Sequence, residues 1–333
     1  MTVIRLQPLT LLPYLLRRIA QSIAVIFVMS LLVFAGVYAI GDPVALLISP
    51  NADQAEAARM SAALGLDLPL WKQYAVFLER AATGDLGRSF AFNTPAMQLI
   101  LERMPATMEL ALSALFIAVT LGIPLGLWAG LKPDSLAGKT IMAGSILGFS
   151  LPTFWVGLTL IMLFSVYLGW LPASGRGTTV DLLGVPVSFL SRDGLAHLLL
   201  PAFNLALFKL ALVIRLVRAG TREAMLQDYV RVARAKGLPE WRVVGKHVLR
   251  NILIPVVTVL GLEFGSLVAF SVVTETIFAW PGMGKLLIDS INALDRPVVV
   301  AYLCITVALF IFINLVVDLL YAWLDPRVRL EAA

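Results

Sequence analysis

Residues 110–131 read LALSALFIAVTLGIPLGLWAGL, a run of 22 residues without a single Asp, Glu, Lys or Arg. A helix needs about 20 apolar residues to cross the roughly 30 Å hydrocarbon core of a bilayer. The runs 19–41 and 297–317 also contain no charged residue. A fourth run, 140–175, contains none over 36 residues. These stretches predict that the chain crosses a membrane several times.

Two further apolar stretches each contain charged residues. The stretch 195–217 includes Lys209, and the stretch 252–277 includes Glu263 and Glu275. With these two, the sequence predicts an all-α, polytopic membrane protein with six transmembrane helices. The predicted spans are TM1 19–41, TM2 106–131, TM3 140–168, TM4 195–217, TM5 252–277 and TM6 297–323.

The composition of the whole chain agrees with a membrane protein. Of its 333 residues, 59% are hydrophobic and 14% are charged, whereas soluble domains carry about 45–50% and about 25%. The net charge of +5 would suggest nucleic acid as a partner of a soluble protein. Because no basic stripe is interleaved with aromatic residues, we expect a lipid bilayer and no nucleic acid as the partner.

The basic residues predict the orientation, because cytoplasmic loops of membrane proteins carry an excess of Lys and Arg. Arg17 and Arg18 immediately precede TM1, and the segment from Arg215 to Arg250 contains nine basic residues, both ends included. Both termini and the loop 218–251 are therefore predicted to be cytoplasmic. The cytoplasmic N-terminus is then 1–18 and the cytoplasmic tail is 324–333. The segment 42–105, with short helices, is predicted to be periplasmic.

The external segment 42–105 predicts two helices. The first, Asp53–Leu64, is rich in alanine and has Gly65 as its stop signal. The second begins after Pro69, where apolar residues recur at helical spacing: Leu70, Trp71, Tyr74, Phe77 and Leu78. This face fits packing on the helical core or on the membrane surface, and docking of a partner protein is the alternative.

The loop between TM4 and TM5 predicts a short amphipathic helix. Asp228 can cap a helix that ends at Gly237, and Pro239 with Glu240 can open a second helix. Taken alone, this segment fits two interpretations. It is either a solvated basic hairpin at anionic lipid headgroups or a docking element for a cytoplasmic protein.

The segment DYVRVARAKGL at residues 228–238 resembles the cytoplasmic signature loop of ABC importer permeases. It is most similar to the branch for dipeptides, oligopeptides, nickel and glutathione, and HVLRN at 247–251 continues the pattern. The other segments that resemble this branch are GDP at 41–43, LGLD at 64–67, GDLG at 84–87, LPASG at 171–175, LPA at 200–202, TETIFAWPGMG at 274–284 and DPR at 325–327. Their order and spacing extend the resemblance along nearly the whole chain.

This resemblance implies a type I ABC importer permease fold in the bacterial inner membrane, with 106–323 as the permease core. The chain would form half of the translocation pathway for di- or oligopeptides or similar small solutes. The residues that the resemblance assigns to ATPase coupling are Asp228, Tyr229, Arg231, Ala233, Arg234, Lys236 and Gly237. The implied partners are a second homologous permease, two ABC ATPases that bind ATP and Mg²⁺, and a periplasmic or lipid-anchored solute-binding protein.

The sequence contains no constellation of catalytic residues, so we expect a non-catalytic translocation subunit without a cofactor of its own. Gly138-Lys139-Thr140 resembles the end of a phosphate-binding loop. However, Pro133 occupies the position of the first glycine that such a loop requires. ATP is therefore expected to be hydrolysed by another chain.

Ionisable residues within the predicted spans are candidates for function, because burying them in hydrocarbon is costly. Glu263 lies deepest and is the candidate to face a water-filled pathway, with an internally hydrogen-bonded role as the alternative. Thr274 and Glu275 lie at the external mouth of TM5 and are candidates for a gate or a contact with the binding protein. Lys209 is expected to extend towards the cytoplasmic interface, because Arg215 lies about 9 Å further along the helix.

Gly122, Gly126 and Gly130 form a doubled G-x-x-x-G pattern, which predicts close packing of TM2 against another helix.

The alternative to an importer subunit is a secondary transporter or channel without ATPase partners. That class would show paired charges near the bilayer midplane and broken helices in repeated halves. In the sequence only Glu263 lies deep, and no repeat of one half in the other is evident.

Overall fold

The computed structural model describes residues 8–39, 55, 59, 62 and 67–324. The predicted stop at Gly65, most of the predicted helix Asp53–Leu64 and the tail after residue 324 lie outside these residues. Contacts divide the chain into two compact units. One unit comprises 1–104, 286–312 and 330–333, and the other comprises 105–285 and 313–329.

Helices dominate the described residues. In chain order they are α1 Pro8–Ala39, α2 Leu70–Ala82, α3 Ala96–Leu131, α4 Leu136–Ser150, α5 Thr153–Leu160, α6 Arg192–Met225, α7 Asp228–Ala235, α8 Glu240–Arg242, α9 Leu249–Ile277, α10 Met283–Asn292 and α11 Arg296–Leu324. Two π-helical segments, Ile161–Tyr167 and Val243–Val248, continue α5 and join α8 to α9. Two short strands, β1 Val180–Leu182 and β2 Val185–Val187, form an antiparallel hairpin.

Four helical stretches are long and apolar enough to cross a membrane, so the protein is a multi-pass membrane protein. They are α3, α6, the run Glu240–Ile277 and the part Arg296–Val317 of α11. These stretches coincide with the predicted TM2, TM4, TM5 and TM6. Within α1, a shorter apolar helix, Ile23–Gly36, lies where TM1 is predicted. The described residues thus hold four spans, or five with the bent pair of helices that follows, and the number six stays a prediction.

The interval 140–168, predicted as one continuous span, is broken. Helix α4 and the helix Thr153–Tyr167 meet at an angle of 108°. Pro152 explains the break, because a proline disfavours helical dihedrals at the residue before it. Leu151 accordingly has extended dihedrals, with φ −81° and ψ 137°.

Helix α6 extends past the predicted end of TM4 at Val217 and continues to Met225. The predicted boundary followed the change from apolar to charged residues. Arg218 and Arg222 mark that change, but arginine is a good helix former and does not end a helix. The first eight residues of the predicted loop 218–251 therefore belong to α6, the helix that contains the predicted TM4.

In the unit that contains α1 and α2, the apolar face predicted for residues 70–78 is used only in part for packing. The Tyr74 ring lies 5.2 Å from the Phe34 ring and 6.2 Å from the Phe27 ring. The Tyr74 hydroxyl also forms a 2.8 Å hydrogen bond with the Ser30 hydroxyl. Trp71 stays 69% exposed. The structure therefore supports packing of α2 on α1 through one side of that face.

The other unit is built around α6, whose side chains pack against α3. A Cβ atom built at Gly126 would lie 2.7 Å from the Val217 Cβ, and one at Gly130 would lie 2.6 Å from the Thr221 Cβ. Such distances leave no room for a side chain, so the glycines allow the two backbones to approach. The doubled G-x-x-x-G pattern is therefore an intrachain helix contact, as its packing interpretation predicts.

The hairpin β1–β2 was not predicted, and it is a small departure from an all-α fold. Leu183 and Gly184 form its turn with φ values of 55° and 85°. Positive φ at both central residues matches the right-handed twist of two-residue hairpins. Leu183 at the tip is 98% exposed.

Candidate functional site

Along the chain, the candidate coupling helix α7 lies between two long helical stretches, α6 and Glu240–Ile277. It begins one residue earlier than predicted. Gln227 occupies the N-cap position without a side-chain hydrogen bond, and Asp228 is the first helical residue. The Asp228 carboxylate instead lies 3.4 Å from the Arg231 guanidinium on the exposed surface. The predicted cap at Asp228 is therefore wrong, although an acidic residue in the first turn still suits the helix dipole.

Helix α7 has one buried face and one exposed face. Val230 and Ala233 are buried in a hydrophobic cluster that also contains Val217 of α6 and Ile252 of α9. On the opposite face, the Val232 side chain is 51% exposed. The burial of these two apolar residues therefore packs one side of α7 against α6 and α9, and the other side stays exposed.

Helix α7 ends in a Schellman motif at Gly237. The Gly237 N–H donates to the Arg234 carbonyl at 2.9 Å, and the Leu238 N–H donates to the Ala233 carbonyl at 3.3 Å. This pattern requires a left-handed residue after the helix, and Gly237 has φ +73°. The stop that the sequence predicts at Gly237 is thus present, and the side chain of Leu238 packs on the hydrophobic cluster.

Arg234 joins the end of α7 to the next helix across this turn. Its Nε donates to Glu240 Oε1 at 2.7 Å, and its Nη2 donates to Glu240 Oε2 at 3.3 Å. The hydrogen bond to Glu240 raises the pKa of Arg234 above its usual value. Exposed ion pairs contribute little stability, so this bidentate contact chiefly orients α7 relative to α8. Lys236, another predicted coupling residue, follows the last residue of α7 and occupies its C-cap position.

Lys209 and Glu263 form an ion pair between α6 and α9. The Lys209 ammonium contacts Glu263 Oε2 and donates to the Ser266 hydroxyl at 2.8 Å. The Lys209 side chain is only 7% exposed, whereas the Glu263 side chain is 33% exposed. The expectation that Lys209 extends to the cytoplasmic interface is wrong, because a partner of opposite charge lies beside it.

Glu275, a candidate gate residue, is fully buried. Its carboxylate accepts hydrogen bonds from the Thr107 hydroxyl at 2.7 Å, the Ser271 hydroxyl at 2.9 Å and the Lys285 N–H at 3.0 Å. Thr274 is also buried and accepts a 3.1 Å hydrogen bond from the Asn204 amide. Both side chains are therefore enclosed by their own chain rather than presented to a partner.

The predicted site residues fall into separate places. The coupling residues share α7 and its C-terminal turn, while Glu263 and Glu275 lie 12 residues apart on α9, or about 18 Å at 1.5 Å per residue. The structure therefore does not bring the two candidate pathway acids together. It shows one cation partner, Lys209, that the sequence reasoning did not connect with Glu263.

A further buried carboxylate, Glu109 on α3, was missed. It accepts hydrogen bonds from Arg176 Nη2 at 2.6 Å, the Ser188 N–H at 2.6 Å and the Phe189 N–H at 3.1 Å. The residues on both sides of the hairpin are thereby attached to α3. An acidic residue inside the predicted TM2 could have signalled this, because such a group needs a partner in the membrane.

Two family models match this chain and together cover most of it. Residues 122–330 match the family described as "Binding-protein-dependent transport system inner membrane component". Residues 11–111 match the corresponding N-terminal family of binding-protein-dependent transport system membrane components.

Full-length relatives are similar over nearly the whole chain. Identity is 43% with the di/tripeptide transport system permease protein DppB of Pseudomonas aeruginosa, over 96% of this chain and 99% of the relative. It is 38% with the dipeptide transport system permease protein DppB of Escherichia coli K12, over 96% and 99%. It is 39% with the oligopeptide transport system permease protein AppB of Bacillus subtilis, over 95% and 99%.

The fold is also found among solved structures, as one example shows. It is a chain from the inward-facing MetNI methionine ABC transporter, with a TM-score of 0.52 over 69% of this chain and 97% of that chain. Identity is 16%, so this likeness concerns the fold alone.

Proposed function

This chain belongs to the family of binding-protein-dependent transport system inner membrane components, and from this premise we propose that it forms half of the translocation pathway of an ATP-driven peptide importer. It is a non-catalytic translocation subunit in the inner membrane. Its partners in this proposal are a second homologous permease, two cytoplasmic ATPases and a periplasmic or lipid-anchored solute-binding protein.

The observation that carries this proposal is the placement of α7. Val230 and Ala233 fix one face of this helix to the core, while the other face, with Tyr229 and Val232, is at least a third exposed. A short helix of this kind can enter a groove on an ATPase and transmit its movement. Because α7 is anchored between α6 and α9, a displacement of α7 must move both spans.

The coupling mechanism follows from this connection. Closure of two ATPases around ATP and Mg²⁺ would displace α7 on each permease and reorient the attached helices between inward-open and outward-open states. Rigid-body motion of packed helices is a common form of such switching. The Schellman turn at Gly237 and the Arg234–Glu240 contact hold α7 at a fixed angle, so that movement is transmitted rather than absorbed by the loop.

The substrate class comes from the relatives. The three described above are named as permeases for di- or tripeptides, dipeptides and oligopeptides. Identities of 38–43% over full length support small peptides as the cargo of this chain. The external binding protein delivers the peptide, and the paired permeases provide its path through the bilayer.

The proposal is tested by purifying a tagged version of this chain from membranes that contain its candidate partners. We expect the second permease and the ATPases to co-purify, and ATP hydrolysis to increase when the binding protein and dialanine are added. Co-purification of neither partner, together with dialanine uptake by this chain alone driven by an ion gradient, would instead indicate a secondary transporter.

A further inference from the structure

The Glu263 carboxylate uses only one of its two oxygens within this chain. Both the Lys209 ammonium and the Ser266 hydroxyl bind Oε2. Among the residues that the structure describes, no group donates a hydrogen bond to Oε1. A carboxylate can accept about four hydrogen bonds, so Glu263 keeps a strong, unused acceptor.

This oxygen lies in the middle of a span. Glu263 is 13 residues from Arg250 and 14 residues from Ile277, which corresponds to about 20 Å along the helix in each direction. One third of the Glu263 side chain is exposed, while the Lys209 side chain is buried. The pair therefore presents its carboxylate, not its ammonium, to the space beside α9. A charged oxygen at this depth faces a water-filled cavity or a polar partner rather than hydrocarbon.

We propose that Glu263 Oε1, held in place by Lys209 and Ser266, is a transient binding site for the α-ammonium group of the peptide that this chain translocates. The proposal rests on the proposed function and names the part of the substrate that the pathway recognises. An N–H⁺ donor matches a free carboxylate oxygen, and such charge-assisted hydrogen bonds are stronger than neutral ones.

The neighbouring lysine fits a transient site. Lys209 and Glu263 form an ion pair without net charge, so a peptide ammonium would be held mainly by a hydrogen bond to Oε1 rather than by an uncompensated charge. A translocation pathway needs sites that bind well enough to admit a solute and weakly enough to release it. The alternative occupant of Oε1 is a donor from the second permease, which the test distinguishes.

The aromatic residue on the same helix face supports a cationic ligand. Phe270 follows Glu263 by seven residues, which places it on the same side of α9 about two turns further out. It is 72% exposed. Aromatic faces attract ammonium groups, so Phe270 and Glu263 form a suitable path for a cationic end.

The first test measures maximal uptake of dialanine by the complete importer. Glu263→Gln keeps an acceptor for Lys209 but removes the anion, and we expect uptake to fall about tenfold or more, as for loss of a charge-assisted hydrogen bond. Glu79→Gln, on the exposed surface of α2, is the matched control and should transport normally.

The paired exchange Lys209→Glu with Glu263→Lys separates recognition from packing. It preserves an ion pair but presents an ammonium to the pathway. We expect the exchanged chain to assemble with its partners and to remain deficient in uptake. Recovery of uptake to near the wild-type rate would show that the pair is only structural and would overturn the proposal. Normal uptake by Glu263→Gln would overturn it as well.

A second measurement remains informative if the exchanged chain does not assemble. In a Cys304→Ala background, Phe270→Cys is treated with a cationic and an anionic methanethiosulfonate reagent in the assembled importer. We expect the cationic reagent to react severalfold faster, dialanine to slow this reaction, and Glu263→Gln to remove the preference. A thiol that does not react would place this face against the second permease or lipid, and a thiol that reacts without charge preference would show a water-filled space that does not select cations. Either result would overturn the proposal. If the importer with the unaltered chain does not take up dialanine, while the cationic reagent still reacts faster with Phe270→Cys, the proposed peptide function is wrong but the cation site is supported.

Discussion

The Thr107 hydroxyl of α3 donates a 2.7 Å hydrogen bond to Oε1 of Glu275, at the end of α9 and 168 residues later in the chain. The same hydroxyl oxygen accepts the Met283 N–H at 2.8 Å. Trp280 adds a third contact, because its indole N–H donates to the Ala106 carbonyl at 2.9 Å. The end of α9 and the turn that follows it are thus fastened to α3 through buried polar groups.

Replacing Thr107 by valine should destabilise this connection. Thr107→Val keeps the shape of the side chain but leaves the Met283 N–H without its acceptor and Glu275 with one donor fewer. Leaving buried polar groups unsatisfied costs about 1–3 kcal/mol. We expect a lower thermal unfolding temperature of the purified protein in detergent.

Thr276→Val is the control for this substitution. Thr276 is exposed, and its hydroxyl donates to the Val272 carbonyl of its own helix at 2.7 Å. Its unfolding temperature should stay close to that of the wild type. Equal effects of the two substitutions would show that the buried connection contributes nothing specific.

The contact between α3 and α6 makes a second prediction. In Gly126→Leu, the Cβ would lie 2.7 Å from the Val217 Cβ and 2.9 Å from the Ile214 carbonyl oxygen. The two helices must separate, so we expect strongly reduced accumulation of folded protein in membranes. Gly144→Leu is the control, since no atom lies within 4 Å of its Cβ position. Comparable accumulation of both variants would contradict close packing at Gly126.

Apolar runs in the sequence were enough to locate the spans TM2, TM4, TM5 and TM6. The reason is physical, because predominantly apolar stretches of about 20 residues with few charges have few alternatives to a membrane helix. The stop at Gly237 was equally predictable, since glycine is the residue that tolerates a left-handed end of a helix. Pro152 was a signal for the break at Leu151. The uncharged run from 140 to 175 nevertheless indicated one continuous span, because a single long helix is the simplest structure for such a run.

The pairing of distant polar residues could not be predicted in this way. Glu263 meets Lys209 across 54 residues, and Glu109 meets Arg176 across 67 residues. Periodicity within one helix says which side of that helix a residue occupies. It does not say which face of another helix lies opposite, so these partners became visible only in the fold.

A third prediction concerns coupling. Gly237 has φ +73° and open space around its Cβ position, so Gly237→Val acts only through the backbone. A left-handed conformation costs a side-chain-bearing residue about 1–2 kcal/mol, and β-branched residues tolerate it least. We expect normal insertion of the spans, a misdirected α7, less ATPase co-purifying with the membrane complex and reduced dialanine uptake.

Gly245→Val provides the matched comparison for coupling. Gly245 also has open space around its Cβ position, and its φ is negative. This variant should therefore retain the ATPase. If Gly237→Val keeps both normal uptake and normal ATPase retention, the loop is a solvated hairpin rather than a coupling element.

The orientation in the membrane gives a fourth prediction. In a Cys304→Ala background, Arg234→Cys should resist a membrane-impermeant thiol reagent added to intact spheroplasts, because the loop 218–251 is predicted to be cytoplasmic. Leu183→Cys at the exposed tip of the hairpin should react readily, because the segment that precedes TM4 is external if the loop 218–251 that follows TM4 is cytoplasmic. The reverse pattern would invert the topology.

Coupling of this chain to the ATPases is tested by dialanine uptake into proteoliposomes that contain this chain, the second permease and the ATPases, with the binding protein present on the same side as dialanine. If the proposed coupling is right, uptake requires ATP and Mg²⁺ on the ATPase side and stops when the ATPases or the binding protein are omitted. Uptake that persists without ATP and without the ATPases would contradict it, and would show that this chain transports without the partners to which α7 is proposed to couple.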